Sequence, residues 1–333
     1  MLRLHSYAYE RPESLEEALR IIAANPGSAM PIAGGTDLMP NMKHQLFTPK
    51  RLVALRQIPE LHGIHVENNE LVIGAAETLT TLSRHPLVRK HAPSLARAAG
   101  LVAGPQLRNM GTIGGNLCLD TRCTYYNQTY FWREALGFCL KKDGDVCHVT
   151  KVGKKCVAAH SADTPPALMT IGGVVDLASV EGERSLPVSE FFVADGMENT
   201  LRGWNELVTR VRVPLPKPGT RATYVKLRQR ASIDFPLLSI AVAGDFEGDV
   251  VQDLRIVVSA LGSRPRQLSG LEKIVAGQRL TDEVVDAVAE RAFAQCHPLE
   301  NIIVDPEWRR AMVPVYVKRA LAELRGASQE AAA

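Results

Sequence analysis

The sequence predicts an α+β fold in two parts, and three observations carry that expectation. Residues before about 214 alternate short apolar runs with glycine turns and short amphipathic stretches. Three strand-like runs, ATYVKLRQR, PLLSIAVAGDF and VVQDLRIVVSA, then precede three helix-like stretches near 268–276, 282–295 and 306–325. Strands followed by helices predict a small three-stranded antiparallel sheet under a helical layer. Between the two parts lies PLPKPGT at 214–220, a proline-rich stretch that reads as a linker.

At 333 residues the chain is long enough for two or three domains, each with its own core. Its 46% hydrophobic and 23% charged residues and its net charge of +3 read as an ordinary globular protein. The charge surplus is not spread along a basic stripe, so no nucleic-acid partner is expected. There is no apolar run long enough for a membrane span and no apolar h-region at the start, so the expected setting is a reducing cytoplasm.

The first element is a helix entered at Ser14, with Glu17 three residues on as a capping box and Leu15, Ala18, Leu19 and Ile22 on one face. Asn25-Pro-Gly stops it. AMPIAGGTDLMP is a short strand running into Gly34-Gly35 and then Thr36 and Asp37. Glycines at a strand end let backbone N–H groups approach a ligand closely, although a plain tight turn looks the same. The pattern is neither a P-loop nor a Rossmann fingerprint. Leu52–Leu55 reads as a strand, and residues 64–82 as a hairpin about Asn68-Asn69 followed by a helix capped at Thr78.

A helix over Ser94–Ala99 leads to GTIGGN at 111–116, which is too rich in glycine for a helix or strand interior. Two glycine loops, each with a threonine and an amide or acid, suit the two ends of one extended ligand. After residue 158, ALMTIGGVVDLASVEGERSLPV gives a strand, a Glu-Gly turn and a return, and LVTRVRVPLP an alternating strand. The tail GASQEAAA after Arg325 is expected to fray.

Between the glycine loop and residue 158 stand Cys123, Cys139, Cys147 and Cys156, four of only six cysteines. From Asp120 to Ala158, Arg122, Arg133, Lys141, Lys142, Lys151, Lys154 and Lys155 outnumber Asp120, Glu134, Asp143 and Asp145, a surplus equal to the net charge of the chain. Cations favour thiolates and offset an anionic group built on them. Tyr125, Tyr126, Tyr130, Phe131, Trp132 and Phe138 fall in the same block, which is therefore expected to bury a small core of its own. The gaps of 15, 7 and 8 residues lack the short knuckles of structural zinc sites and the close pair common in iron–sulfur sites. On spacing alone zinc, iron–sulfur, disulfides and unligated buried thiols all stay open. No G-x-S-x-G, no H-E-x-x-H and no compact His/Asp cluster occurs in the sequence.

PIAGGTDLMP, NMGTIGGNL, SADTPPAL and YVKLRQRASIDFPLLSIAVA, in that order, resemble the FAD-binding medium subunit of the xanthine dehydrogenase and carbon monoxide dehydrogenase family over nearly the whole chain. The resemblance implies a two-part FAD-binding domain of the vanillyl-alcohol-oxidase (PCMH) type over 1–216, with subdomains of about 1–58 and 59–216. A CO dehydrogenase flavoprotein C-terminal-like domain follows over 221–326. It implies that Pro31, Ile32, Ala33, Gly34, Gly35, Thr36, Asp37 and Leu38 wrap the FAD pyrophosphate, with Val102, Thr112, Gly115 and Asn116 on the other side. Asp163 would hold ribityl or ribose hydroxyls, and Val208 and Lys226 would lie against the flavin.

Most of that family runs almost directly from the TIGGN loop to the SADxxPAL segment. The insert loop 119–158 resembles that of a reductive branch in which it holds an additional 4Fe-4S cluster. That implies Cys123, Cys139, Cys147 and Cys156 as ligands, and leaves Cys118 to the flavin motif. The implied partners are a large subunit with the molybdenum cofactor, a small subunit with 2Fe-2S centres and ferredoxin as donor, in a dimer of heterotrimers. The alternatives are a hydroxylase flavin subunit with a zinc-stapled insert, a zinc-stapled binding protein whose glycine loops are only turns, and a stand-alone flavin reductase.

Overall fold

The computed structural model describes residues 2 to 330, with side chains to residue 326. Three parallel strands open the chain: β1 (Ala8–Glu10), β2 (Ala29–Ile32) and β3 (Arg51–Ala54), with β3 central. The helix Leu15–Ala23 covers them. Ser14 Oγ accepts the Glu17 N–H at 3.2 Å, while the Glu17 carboxylate accepts from Glu13 N–H at 2.8 Å, so the box closes one residue earlier than expected. Ala18, Leu19 and Ile22 are buried in one cluster with Val53, Ile58 and Leu61. Burying a side chain such as Ile22 contributes roughly 1.5–3 kcal/mol.

The second sheet is antiparallel in the order β4-β5-β8-β6-β7: β4 (Ile64–Glu67), β5 (Glu70–Gly74), β6 (Val174–Ser179), β7 (Gly182–Pro187) and β8 (Leu207–Pro214). Asn68 and Asn69 join β4 to β5 with φ of 48° and 62°. Asparagine tolerates the left-handed region, and two such residues give the turn whose twist matches the strands. Helices Leu79–Arg84, Pro86–His91 and Pro93–Leu101 follow, the last two each started by a proline. GTIGGN departs from its expectation: Ile113–Leu117 is a short helix, capped by Thr112 Oγ1 accepting the Gly115 N–H at 3.1 Å. Thr112 starts the turn, and the glycines are there for closeness rather than to break it, since a Cβ on Gly114 would stand 2.9 Å from Ala75 Cβ.

The C-terminal sheet has four strands rather than three, in the order β12-β11-β10-β9: β9 (Thr220–Leu227), β10 (Leu238–Glu247), β11 (Val250–Ser259) and the two-residue β12 (Arg266–Gln267). Because Arg266 pairs with Val258, the helix expected over 268–276 shrinks to Glu272–Val275. Helices Asp282–Gln295 and Pro306–Glu330 bury Val288, Ala292, Val313, Val317 and Leu321 in the same core as Ile240, Val242 and Ile256 of the sheet. The tail expected to fray is helical through Glu330, and its last three residues lie outside the described ones. Arg97 and Arg255 tie this sheet and its helices to the first part, through Glu323 and the Thr170 carbonyl respectively. Among the described residues no helix is long and apolar enough to cross a membrane.

The insert contains one helix, Tyr130–Ala135, and little other regular structure. Its aromatics do not form a private core. Tyr126 is buried, but Phe131 is 78% exposed, and Tyr130 and Trp132 are exposed as well. The fold instead anchors the loop on its neighbours through Arg133, 1% exposed, which lies near the rings of Tyr130 and Phe138 and donates to the His44 and Gln45 carbonyls at 3.3 Å.

Candidate flavin cleft and cysteine cavity

The two glycine loops meet. A Cβ on Gly34 would stand 1.9 Å from the Met110 carbonyl oxygen, so the loop after β2 lies flush on the backbone that precedes GTIGGN. On the opposite side of GTIGGN, Gly114 N–H donates to the Ala75 carbonyl at 2.9 Å and Ile113 N–H to that of Glu77 at 3.0 Å. Asn116 Oδ1 accepts from the Thr164 N–H at 3.1 Å and its hydroxyl at 2.7 Å, fixing the start of the helix Thr164–Thr170 against this loop.

Together these segments enclose a cleft of about 480 Å3. Pro31, Ile32, Ala33, Gly34, Gly35, Thr36, Asp37, Leu38, Val102, Thr112, Gly115, Asn116, Asp163 and Val208 all line it. Its size and mostly apolar, glycine-floored walls with few polar groups are those of a cofactor site. Ile233 and Phe235 of the loop between β9 and β10 also line it, bringing the C-terminal part to its mouth. Ile233 stands there with φ +67°, a strained setting for a β-branched residue.

Lys226 is outside the lining. Its Nζ donates to Asp163 Oδ2 at 2.9 Å and to the Leu101 carbonyl at 3.1 Å, and Tyr224 donates to Asp163 Oδ1 at 2.5 Å. Burial holds the Asp163 carboxyl above its ordinary value, against the pull of Lys226 and Tyr224, and burial also holds the Tyr224 phenol well above its own. The lysine therefore meets the cleft only through Asp163, a buried carboxylate on its wall.

The insert enters the cleft through Arg122. Its guanidinium pairs with Asp37, lies 4.6 Å from the Phe235 ring centroid, and lowers its pKa to about 10 through burial. The next residue is Cys123. Cys123, Cys139, Cys147 and Cys156 all line one second cavity, together with Tyr126, Lys141 and His148, whereas Cys118 lines the flavin cleft. None of the six cysteines is in a disulfide. Burial pushes the Cys123 thiol up to about 11 and raises that of Cys156. Cys147, although burial raises it, falls below the ordinary thiol value through hydrogen bonds from Thr150 and neighbouring backbone N–H groups. Gly196 allows a turn to pack on Cys156, whose Sγ would lie 2.9 Å from a Cβ there.

Among the described residues no three His, Cys, Asp or Glu side chains converge as a single metal ion requires. Four thiols around one cavity are the donor set that either a structural zinc ion or an iron–sulfur cluster takes. Arg122, Phe47 and Phe235 escaped the sequence reading. Arg122 was counted only as part of a basic surplus; its place beside Cys123 was the available signal. Phe47, which lines the cleft and packs against the cluster of Leu46, Tyr126 and Cys139, carries no local signature.

Residues 5–216 match the family of the FAD binding domain in molybdopterin dehydrogenase, and residues 222–324 match the CO dehydrogenase flavoprotein C-terminal domain. The carbon monoxide dehydrogenase medium chain of Hydrogenophaga pseudoflava is 31% identical over 316 residues, covering 95% of this chain and 96% of the relative. The nicotinate dehydrogenase FAD-subunit of Eubacterium barkeri is 28% identical over 295 residues, covering 85% and 84%. A solved structure of the Hydrogenophaga pseudoflava carbon monoxide dehydrogenase superposes with a TM-score of 0.78 at 30% identity, over 96% of this chain and 97% of the other.

Proposed function

The chain belongs to the FAD-binding medium subunits of the xanthine dehydrogenase and CO dehydrogenase molybdenum enzyme family, and on that premise we propose that it is the electron-transfer subunit of a 4-hydroxybenzoyl-CoA reductase. In this reading Cys123, Cys139, Cys147 and Cys156 hold a 4Fe-4S cluster beside the FAD. The cofactors, when bound, carry low-potential electrons from ferredoxin toward 2Fe-2S and molybdenum centres on a small and a large partner subunit, where 4-hydroxybenzoyl-CoA is dehydroxylated to benzoyl-CoA. The complex is a cytoplasmic dimer of heterotrimers.

This chain's residues bind and shield rather than move protons. Gly34, Gly35 and Gly115 let backbone approach the ligand, and Asp163, backed by Lys226, accepts from its hydroxyls. Ile233 and Phe235 narrow the mouth against water. The exposed Lys151, Lys154 and Lys155 of the insert suit an acidic donor through electrostatic steering. The observation that carries the reading is that all four insert cysteines line one cavity, one of them next in sequence to a residue that lines the flavin cleft.

A second reading is a hydroxylase flavin subunit with a zinc-stapled insert, sending electrons outward. Likeness to a carbon monoxide dehydrogenase and a nicotinate dehydrogenase favours it. Iron, acid-labile sulfide, zinc and flavin content of the anaerobically purified complex and its Cys147→Ala variant decides between them. The reductase reading expects about four irons and four sulfides beyond those of the small subunit, lost in the variant while FAD stays. One zinc and no additional sulfide overturns it.

A further inference from the structure

One ion pair spans the wall between the two cavities. Asp120 lines the flavin cleft, and Lys141 lines the cysteine cavity. Lys141 Nζ donates to Asp120 Oδ1 at 2.5 Å and to the Thr121 hydroxyl and carbonyl, and it stands 4.3 Å from the Tyr126 ring centroid. The lysine side chain is 5% exposed and the aspartate 16%. Lys151, Lys154 and Lys155 of the same loop point to solvent, so this one is turned inward against the usual preference of its type. Asp120 Oδ1 also accepts the Thr121 N–H at 2.9 Å, and burial together with Asp120 raises the pKa of the Tyr126 phenol beside the pair.

A buried pair of this kind is a weak source of stability, because desolvation offsets most of the attraction. It is, however, a strong and poorly screened local field. We propose that Asp120 and Lys141 couple the two cofactor sites electrostatically, the lysine facing the cysteine-held group and the aspartate facing the flavin. The inference rests on the reading that the four cysteines hold an iron–sulfur cluster. Cluster potentials follow local charge and hydrogen bonding, and flavin potentials follow charge near the ring. A cation at the cysteine cavity stabilises the more negative, reduced cluster and raises its potential. An anion at the cleft disfavours added negative charge on the flavin and lowers its potential.

The two effects bring the potentials together. One electron leaves the cluster and one enters the flavin, while Asp120 and Lys141 exchange neither electrons nor protons. Transfer from donor to acceptor then dissipates little of the reducing power that must go onward to the partner subunits. Both residues act through the cofactors and are positioning residues.

The test is a redox titration of the whole complex, following the cluster by electron paramagnetic resonance and the flavin by absorbance, with iron, sulfide and flavin counted in each sample. Lys141→Met is expected to lower the cluster potential enough to shift its one-electron equilibrium about tenfold, ~59 mV, and Lys141→Arg to restore most of the shift. Asp120→Asn is expected to raise the flavin potential. If Lys141→Met sheds its cluster, the flavin titration of Asp120→Asn decides by itself. Fully loaded variants with unmoved potentials would reduce the pair to a structural tie and overturn the inference. Wild-type complex without the additional iron and sulfide would overturn the reading beneath it.

Discussion

Lys226 stands directly behind Asp163, its Nζ 2.9 Å from Oδ2, with 1% and 4% of the two side chains exposed. β9 delivers Lys226 and Tyr224, two residues apart on one face, so that both reach the same carboxylate. Lys226→Met leaves that carboxylate with the Tyr224 hydroxyl and with Arg228 as its remaining counter-charge. Breaking a buried pair from one side costs about 3–5 kcal/mol, and proton uptake by Asp163 softens it toward the lower figure. Chemical denaturation with and without added FAD is expected to show that loss together with a lower flavin content. A variant that kept full flavin and lost under about 0.5 kcal/mol would place Lys226 outside the support of the site.

Gly34→Ala tests the contact between the two loops. Its Cβ would sit 1.9 Å from the Met110 carbonyl oxygen, and no rotamer relieves a backbone clash. The loop must lift, and lifting it opens the cleft floor. The expected result is flavin affinity reduced roughly 30-fold, about 2 kcal/mol, measured by fluorescence titration of the deflavinated complex. Gly115→Ala is the comparison, since its Cβ meets only Thr112 Oγ1, at 3.1 Å. Equal losses in the two would mean that the close approach at Gly34 is not what matters.

What the sequence disclosed was what local chemistry encodes. Asn68-Asn69 between two strand runs gave the hairpin, and Ser14 and Thr78 gave their helix starts, because turns and caps are settled within four residues. GTIGGN was read as non-helical because its glycines weigh against a helix interior, whereas here the Thr112 cap and the packing on Ala75 outweigh propensity over so short a turn. β12 was invisible because two residues carry no period; only pairing with Val257 and Val258 makes them a strand. Clustered motifs drew the cleft, but Arg122 on Asp37 and Phe235 over Arg122 join residues from three distant segments. No single stretch records that meeting.

The acid arm of stability should carry a signature of Asp176. Burial raises its carboxyl pKa, yet hydrogen bonds from Arg212, Ser185 and Arg210 bring it below the ordinary value. A carboxylate depressed in the folded state adds stability that is complete above the unfolded-state pKa of about 3.9 and is lost as pH falls through the folded value. Asp176→Asn is therefore expected to unfold more easily than wild type at pH 6, and the gap to close as the pH is lowered below about 4. Denaturation midpoints at pH 6, 4 and 3 check it. A gap that stayed constant with pH would mean that the carboxylate charge is not the source.

His160 gives a second acid effect of the same sign, at higher pH. It is 1% exposed, its Nδ1 lies 2.9 Å from Ser259 Oγ, and burial alone pushes its pKa down to about 3. The unfolded chain takes up a proton below about 6.5 and the folded chain does not, so stability falls at up to about 1.4 kcal/mol per pH unit between those values. Relative to His160→Leu, the wild type should lose about 2 kcal/mol between pH 7.5 and 5. Parallel pH curves for the two proteins would show that His160 is not held neutral.

The cysteine cavity is also held from outside the insert. Thr124 N–H donates to the Asn301 carbonyl at 2.9 Å, and Asn301 Nδ2 donates to the Val157 carbonyl at 2.7 Å. Thr124 follows Cys123 and Val157 follows Cys156, so one buried asparagine of the C-terminal part fixes the spacing of two thiols. Arg309, fully buried, donates to the carbonyls of Leu237, Leu299 and Ala260 and pins the segment that carries Asn301. Asn301→Ala leaves the Val157 carbonyl without that donor, a cost of about 1–3 kcal/mol, while the flavin cleft keeps all of its lining. The expected outcome is faster loss of the insert's iron to a chelator, at least threefold, with flavin content unchanged. Asn301→Asp, which keeps the size but removes the donor, should behave like Asn301→Ala. If both variants held iron as wild type does, the spacing of Cys123 and Cys156 would be fixed within the insert alone.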